Sequence, residues 1–230
     1  MRATFWIFAL LSASGAFAGC AGDDLGKSPF AREFYEWNDF WVENADVQKG
    51  DLPRVLLIGD SISRRYRDGV SQRLAGKAMI VNSAGSRCVG DPVLMAETRH
   101  ALSLYEYDVI HFNNGLHGFA MKDDADFPGY LREWIAEIRR LQPKAKLVWA
   151  TITRPLDGTE GRVDVRNALA LEVVKELGGI AVDDLYSITK ADPSLISGDK
   201  VHPTPEGAEK LADAVAASIL EELGKEGSRK

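Results

Sequence analysis

Five short apolar runs, each followed by a longer segment of helical character, constrain the fold of this chain more than any other feature. The runs are Arg54–Ile58, Ala78–Val81, Asp108–Phe112, Lys146–Ala150 and Ile180–Val182. Runs without polar alternation are typical of strands buried on both faces, as in a parallel sheet between two layers of helices. The regular alternation therefore predicts an α/β fold with a mostly parallel sheet of five strands.

The segments between and after these runs have the length and composition of helices. The predicted helices are Ser61–Leu74, Pro92–Tyr105, Pro128–Leu141, Val163–Leu177 and Pro203–Leu223. A length of 230 residues suits one domain with a short arm. We expect the domain at residues 53–223, an N-terminal arm at residues 21–52 and a frayed tail at residues 224–230.

The arm is rich in aromatic side chains. Phe30, Phe34, Trp37 and Trp41 are spaced by three or four residues, which predicts one face of a helix. We expect that face to pack on the domain, and a platform on which sugar rings stack is the alternative.

The first twenty residues predict a secretory signal peptide. Arg2 precedes the apolar run Phe5–Leu11, and Ala16–Ala18 has the small-residue pattern of a cleavage site. The sequence Phe17–Cys20 also resembles a bacterial lipobox, in which the cysteine is lipidated. We therefore expect export, either as a periplasmic or secreted protein or as an outer-membrane lipoprotein attached through Cys20.

Composition and motifs exclude several classes of function. The net charge is −6 and no basic cluster is evident, which argues against nucleic acid as a partner. Two cysteines, Cys20 and Cys88, do not make a disulfide framework, and we expect Cys88 to be a small buried residue. The sequence lacks zinc-ligand spacing, a phosphate-binding loop and a dinucleotide fingerprint, so we expect neither a metal nor a cofactor.

The ends of the predicted strands carry the residues with catalytic potential, because ligands of parallel sheets bind at the carboxyl ends of strands. Ser61 follows the first strand and opens a helix, whose N-terminus stabilises negative charge. Gly85 ends the second strand and could offer a backbone N–H, and Asn113 could offer a side-chain NH₂. Each has an ordinary structural explanation as a helix cap or turn residue.

Asp199 and His202 are three residues apart near the C-terminus. At that spacing a carboxylate can meet one imidazole nitrogen and leave the other free, which is the orienting role of the acid in a catalytic triad. Taken together with Ser61, the pair indicates nucleophilic catalysis more strongly than any one residue does.

The sequence resembles the SGNH/GDSL hydrolases over roughly residues 53–222. Four segments resemble family blocks in the family's order: Val55–Ser63, Asn82–Gly85, Val109–His117, and Asp199–His202 followed by Pro203 and Thr204.

The resemblance implies a flavodoxin-like three-layer α/β/α sandwich and ester hydrolysis without a metal. It implies that Ser61 is the nucleophile, that His202 is the general base and that Asp199 orients His202. It also implies an oxyanion hole made of the N–H groups of Ser61 and Gly85 and the side chain of Asn113.

Two departures from the family pattern are visible. Ile62 stands where the family often has Leu, which changes little. The third block usually reads Gly-x-Asn-Asp, whereas here Asn113 and Asn114 follow Phe112. We prefer Asn113 as the oxyanion donor because it directly follows the strand, and Asn114 is the alternative. An α/β-hydrolase elbow fits less well, since it needs Gly where this chain has Ser63.

The sequence constrains the substrate less than it constrains the fold or the candidate catalytic residues. Candidate substrate-binding residues near the blocks are Asp60, Arg87, Asn114 and His117. We expect O-acetyl groups of carbohydrates, since the chain carries an export signal, has an aromatic arm and has no long apolar insertion before Asp199. A short-chain or lysophospholipid esterase or thioesterase is the alternative. A catalytically silent glycan-binding domain is a further one, although all three triad residues are present.

Overall fold

The computed structural model describes residues 34–47, 50–118 and 124–225. Its centre is a sheet of six strands in the order β1-β3-β2-β4-β5-β6. The strands are β1 Asn38–Val42, β2 Arg54–Gly59, β3 Met79–Gly85, β4 Val109–Phe112, β5 Lys146–Ala150 and β6 Ile180–Asp183. Strands β2 to β6 are mutually parallel, which confirms the predicted α/β class and the five parallel strands.

Six helices surround the sheet. They are α1 Ser61–Arg73, α2 Pro92–Leu104, α3 Phe127–Leu141, α4 Glu160–Leu177, α5 Leu185–Ala191 and α6 Pro205–Gly224. Two short 3₁₀ turns lie at Asp124–Asp126 and Pro193–Leu195. Each of the five predicted helices is present within three residues of its predicted bounds. The short helix α5 was not predicted.

The predicted helix in the aromatic arm is wrong where the structure describes it, because residues 38–42 form strand β1, antiparallel to β3. Phe40 packs in the apolar cluster on one face of the sheet, and Trp41 packs in the cluster on the other. This alternation has the period of two that defines a strand. The spacing between Trp37 and Trp41 coincides with a helical repeat, so periodicity alone did not separate the two structures. Phe30 lies outside the described residues.

Two apolar layers cover the sheet, as the alternation of side chains along β2 illustrates. Leu56 and Ile58 point into a cluster formed with α2, α3 and α4. Val55 and Leu57 point into a second cluster, formed with α1 and α6. Burial of both faces is the reason that the strands read as continuous apolar runs.

The register of β2 with its two neighbours places three loops at one edge of the sheet. Gly59 pairs with Ala84 of β3, and Ile58 pairs with Phe112 of β4. The chain after β2, after β3 and after β4 therefore leaves the sheet at nearly the same level. Polar residues that follow these strands are brought together although the sequence separates them.

The predicted signal peptide, Cys20, and the end of the tail at residues 226–230 lie outside the described residues. Within residues 34–47, 50–118 and 124–225, no helix combines the length and the apolar character that crossing a membrane requires.

The contact between α1 and α6 generates a stability prediction at Gly69. A methyl group there would lie 2.8 Å from Cβ of Ala212, so the two helices would have to separate. We expect Gly69→Ala to lower the free energy of unfolding by up to about 2 kcal/mol, since overpacking costs about 1–3 kcal/mol and the gain in helix propensity offsets about 1 kcal/mol of it.

Gly129 on α3 is the matched control, because a methyl group at that position meets nothing within 4 Å. Gly129→Ala should raise the free energy of unfolding by up to about 1 kcal/mol. Urea titrations of both variants and the parent measure the difference. Equal effects of the two substitutions would contradict the proposed close packing of α1 on α6.

Candidate active site

Ser61 lies at the first position of α1, immediately after β2. Asp60 caps this helix, since its Oδ1 accepts the N–H of Ile62 at 2.9 Å, and its backbone carbonyl accepts the Ser63 hydroxyl at 2.9 Å. Gly59 allows the tight turn, because a Cβ there would lie 2.6 Å from Oγ of Ser63. Asp60 is fully buried, so its observed role is to fix the turn that presents Ser61.

His202 and Asp199 lie on the loop before α6, and backbone contacts join the two ends of that loop. Ile196 pairs with Pro203 in an isolated bridge, and the Ser197 N–H donates to the carbonyl of His202 at 2.8 Å. Nδ1 of His202 lies 2.8 Å from Oδ2 of Asp199, and Nε2 of His202 lies 2.8 Å from Oγ of Ser61. The structure therefore brings the three predicted triad residues into one hydrogen-bonded chain.

The charge on Asp199 is held by donors from its own loop. Its Oδ1 accepts the N–H groups of Val201 and His202 and the hydroxyl of Ser197, each at 2.9 Å. These donors, the two backbone N–H groups foremost, hold the pKa of Asp199 well below its usual range. The ionised carboxylate can only accept, so in the neutral form of His202 Nδ1 carries the proton and Nε2 presents a lone pair to the Ser61 hydroxyl.

A second His–Asp pair lies in the core. Nε2 of His111 is 2.9 Å from Oδ2 of Asp183, and the His111 side chain is completely buried beside Tyr66 of α1. Its depth separates it from any substrate. His202, which is 29% exposed, is the imidazole that can act at the surface.

The three predicted oxyanion donors lie at the same edge of the sheet. The Ser61 N–H belongs to the first turn of α1, where N–H groups have no acceptor within the helix. Gly85 ends β3 one residue beyond the Gly59–Ala84 pair. The Asn113 N–H donates to the carbonyl of Ile58 at 2.9 Å, which fixes the start of the β4 loop, described over residues 113–118, beside the end of β2.

The two asparagines after β4 differ in what their side chains bind. Nδ2 of Asn113 donates to the carbonyl of Ala150 at 2.6 Å, which occupies one of its two hydrogens. Asn114 is engaged at both ends: Nδ2 donates to the carbonyl of Arg87 at 2.8 Å, and Oδ1 accepts the N–H of Val89 at 3.0 Å. Each Nδ2 thus keeps a second hydrogen. Asn114 is held at both ends and is 1% exposed, so it ties the β4 loop to the β3 loop (residues 86–91), and the less buried Asn113 stays the preferred oxyanion donor.

The remaining predicted binding residues occupy the surrounding loops. Nη1 of Arg87 lies 2.5 Å from Oε2 of Glu36, so its charge is paired with the segment before β1. Ser86 binds the same segment, since its hydroxyl accepts the Trp37 N–H at 3.1 Å. His117 is half-buried in the β4 loop, and its carbonyl accepts a hydrogen bond from Arg166 at 2.8 Å.

Two residues of α4 that reach these loops were missed by sequence reasoning. Arg166 bonds to the β4 loop, and Asn167 bonds to both backbone groups of Ile152 after β5. Both occupy positions of the buried stripe of the helix, whose other members include Val163 and Ala170. Polar residues at core positions of an amphipathic helix were the available signal.

Cys88 lies in the β3 loop and is buried. Burial raises the pKa of its thiol to about 11, which makes it inert as a nucleophile. Throughout the three described stretches, no group of three or more His, Cys, Asp or Glu side chains could hold a metal ion.

No protein-family model and no curated protein matches this sequence. Solved structures do match its fold. A carbohydrate esterase of family 3 from Talaromyces cellulolyticus is 14% identical with a TM-score of 0.62, covering 74% of this chain and 97% of that one. A GDSL-like lipase from Bacteroides thetaiotaomicron is 13% identical with a TM-score of 0.60, covering 74% and 88%.

A third match is the C-terminal catalytic domain of peptidoglycan O-acetyltransferase A from Streptococcus pneumoniae. It is 19% identical with a TM-score of 0.58, covering 79% of this chain and all of that domain. At these identities the likeness establishes the fold, and the fold expected from the four sequence blocks is confirmed.

The Ser61–His202 hydrogen bond predicts selective labelling of one serine. A fluorophosphonate should attach to Ser61, because Nε2 of His202 can accept its proton as the phosphorus is attacked. We expect Ser61→Ala and His202→Ala to lose labelling, and Ser103→Ala, an exposed serine on α2, to retain it. Intact-mass spectrometry and peptide mapping measure the adduct, and labelling of the Ser61→Ala variant at the parent rate would refute the assignment.

The lowered pKa of Asp199 predicts how its contribution to stability depends on pH. Because the folded-state pKa lies below the unfolded value of about 3.9, the contribution is present above that value and declines as pH falls towards the folded pKa. The stability gap between the parent and Asp199→Asn should be present at pH 5 and shrink below about pH 4. Denaturant titrations at each pH measure the gap, and a gap that widens in acid contradicts the stated cause.

Proposed function

We propose that this chain, which has the fold of the SGNH/GDSL hydrolases, is a serine hydrolase of carboxylic esters. The observation that carries the proposal is the chain of hydrogen bonds from Ser61 through His202 to Asp199, with both links at 2.8 Å. A nucleophile, a base and an orienting acid in this arrangement recur on unrelated folds that catalyse acyl transfer.

The reaction begins at the Ser61 hydroxyl. Oγ attacks the ester carbonyl carbon while Nε2 of His202 takes its proton, and Asp199 stabilises the imidazolium that forms. His202 then gives that proton to the departing alcohol, which leaves an acyl group on Ser61. A water molecule attacks the acyl carbon and gives one proton to His202. His202 returns that proton to Oγ of Ser61 as the bond to the acyl carbon breaks, which releases the carboxylic acid and restores the hydroxyl.

Negative charge on the carbonyl oxygen is stabilised by the donors at the strand ends. These are the N–H groups of Ser61 and Gly85 and the free hydrogen on Nδ2 of Asn113. The positive end of the α1 dipole lies at the same place. Loss of one such donor typically lowers the rate by about 10²–10³-fold.

We propose O-acetyl groups of a carbohydrate as the substrate. The carboxylate of Asp199 is half exposed and the imidazole of His202 is 29% exposed, so the triad can be reached by a small acyl group carried on a bulky polymer. A long acyl chain favours an enclosed apolar pocket instead. Two of the structural neighbours are named for carbohydrate ester chemistry, a carbohydrate esterase and a peptidoglycan O-acetyltransferase domain.

Aromatic side chains near the start of the described chain add support for a sugar ligand. Phe34 is 91% exposed and Tyr35 is 77% exposed, and their rings pack edge to face at 4.6 Å. The guanidinium carbon of Arg64 lies over the ring of Trp37, 5.6 Å from its centroid. Arg64 is one helical turn beyond Ser61. Exposed aromatic faces of this kind are characteristic of binding surfaces.

We also propose that the protein is exported, on the strength of the signal-like N-terminus. Carbohydrate polymers that carry acetyl groups lie outside the cytoplasm, so the location is consistent with the proposed substrate. Attachment through a lipidated Cys20 remains the alternative to free secretion.

The test is release of acetate by the parent and by three variants: Ser61→Ala, His202→Ala and the control Ser103→Ala. The substrates that release acetate are acetylated xylan, O-acetylated peptidoglycan and p-nitrophenyl acetate, and lysophosphatidylcholine is assayed in parallel for release of its fatty acid. We expect acetate from the polymers with the parent and with Ser103→Ala. The two triad variants should fall by about 10⁴-fold or more, towards the residual rate of a site without its triad.

Other outcomes distinguish the alternatives. Turnover of p-nitrophenyl acetate without release from either polymer would refute the carbohydrate substrate and leave a general esterase. Turnover of lysophosphatidylcholine in preference to the polymers would favour a lipid esterase. An inactive parent that still binds a glycan would support the catalytically silent binding domain.

A further inference from the structure

The β4 loop is held from beneath by a single arginine of α4. Nη1 of Arg166 donates to the carbonyl of Gly115 at 2.6 Å and to that of His117 at 2.8 Å. Nη2 donates to the carbonyl of Gly118 at 2.9 Å. One planar guanidinium thus fixes three backbone carbonyls within four residues of chain, directly after the asparagine pair.

The charge of Arg166 is fully buried and is paired. Its side chain is 0% exposed, and Nε lies 2.9 Å from Oδ1 of Asp124, which also binds Arg162 at 2.6 Å. Burial lowers the pKa of the guanidinium, and the bond to Asp124 opposes that shift. A buried ion pair is often no more stabilising than apolar residues of the same volume, so stability alone does not explain this one.

Asn167, the residue after Arg166 on α4, holds the loop that follows β5. Oδ1 of Asn167 accepts the Ile152 N–H at 2.8 Å, and Nδ2 donates to the Ile152 carbonyl at 2.9 Å. The two loops also meet directly, because a side chain on Gly115 would lie 2.2 Å from Cδ1 of Ile152. One turn of α4 therefore fixes the chain after β4 and the chain after β5 relative to each other.

Asn113 lies between these two fixed segments. Its backbone begins the loop that Arg166 holds, and its side chain is bound to Ala150, two residues before Ile152. A shift of either loop would turn the free hydrogen of its amide away from the position of the oxyanion. Preorganised donors of this kind stabilise a transition state because they need not reorient during the reaction.

We propose that Arg166 is a positioning residue that holds the β4 loop so that the side-chain amide of Asn113 points at the oxyanion. The proposal rests on the proposed esterase function. It assigns to the α4 helix, on the far side of the sheet from α1, an influence on the rate of the chemical step. Arg166 does not touch the substrate and acts through Asn113.

The role has a kinetic signature. The oxyanion develops in the transition state, so a misplaced donor lowers kcat and leaves KM nearly unchanged. A displacement of about 1 Å can lower the rate by about 10²-fold. The acid limb of the pH–rate profile should keep its position while the plateau falls, since His202 and Asp199 lie on a separate loop.

The experiment compares Arg166→Gln, Arg166→Lys and Asp124→Asn with the parent on p-nitrophenyl acetate across pH. Arg166→Gln removes the charge and most donors, and Arg166→Lys keeps the charge with fewer donors. Asp124→Asn removes the carboxylate that binds Nε of Arg166. Arg132→Gln is the control, because it removes an exposed bond of 2.6 Å between α3 and Glu176 of α4. Thermal melts and hydrogen–deuterium exchange of residues 110–118 accompany the kinetics.

We expect Arg166→Gln to lower kcat by about 10–10²-fold with KM within about threefold. Exchange should rise in residues 110–118 and not across the sheet. Arg166→Lys should recover part of kcat, Asp124→Asn should fall between Lys and the parent, and Arg132→Gln should match the parent.

Two results would overturn the proposal: a folded Arg166→Gln with parental kcat, or a loss of kcat that follows a general rise in exchange. If Arg166→Gln does not fold, Asp124→Asn decides, and a folded Asp124→Asn with parental kcat and parental exchange would assign Arg166 to folding. A parent inactive on all the esters would refute the proposed function instead. The local exchange pattern would then test on its own whether Arg166 holds the loop.

Discussion

The pairing of β2 with β3 on one side and with β4 on the other is the constraint on which the site depends. Because Gly59 is level with Ala84 and Ile58 with Phe112, three loops leave the sheet together. A slip of two residues in either pairing would keep the apolar faces buried but would move Gly85 or Asn113 about 7 Å along the sheet. A shift of register that leaves the apolar faces buried would therefore still displace the proposed oxyanion donors.

Two opposite electrostatic arrangements support this edge. Asp199 is half exposed, and its charge is held by donors from its own loop, so the geometry around His202 is local. Arg166 is completely buried, and its charge is held by Asp124 and by three carbonyls of another segment. The proposed general base can therefore be assembled by one short loop, whereas the proposed oxyanion donor Asn113 depends on the docking of the α4 helix against the sheet.

Much of this could be predicted from residues alone. The parallel strands and the main helices follow from apolar runs and periodicity, and Asp199 and His202 from their spacing. Strand β1 was misassigned because its aromatic residues also fit a helical spacing, and only pairing with β3 decides between the two. The position of Asn113 directly after the strand favoured it over Asn114. That Asn113 is bound through its amide nitrogen to Ala150, whereas Asn114 is bound at both ends to Arg87 and Val89, is visible only in the structure.

By itself, then, the sequence determined the class of fold and the candidate reactive groups, because periodicity and short-range spacing are local properties of a chain. Tertiary structure decided which of these groups meet. The 2.8 Å contact between Ser61 and His202 joins residues 141 positions apart, and the bonds of Arg166 to the β4 loop span about fifty. Contacts at such separations are set by how strands pair and helices dock, which no local pattern encodes.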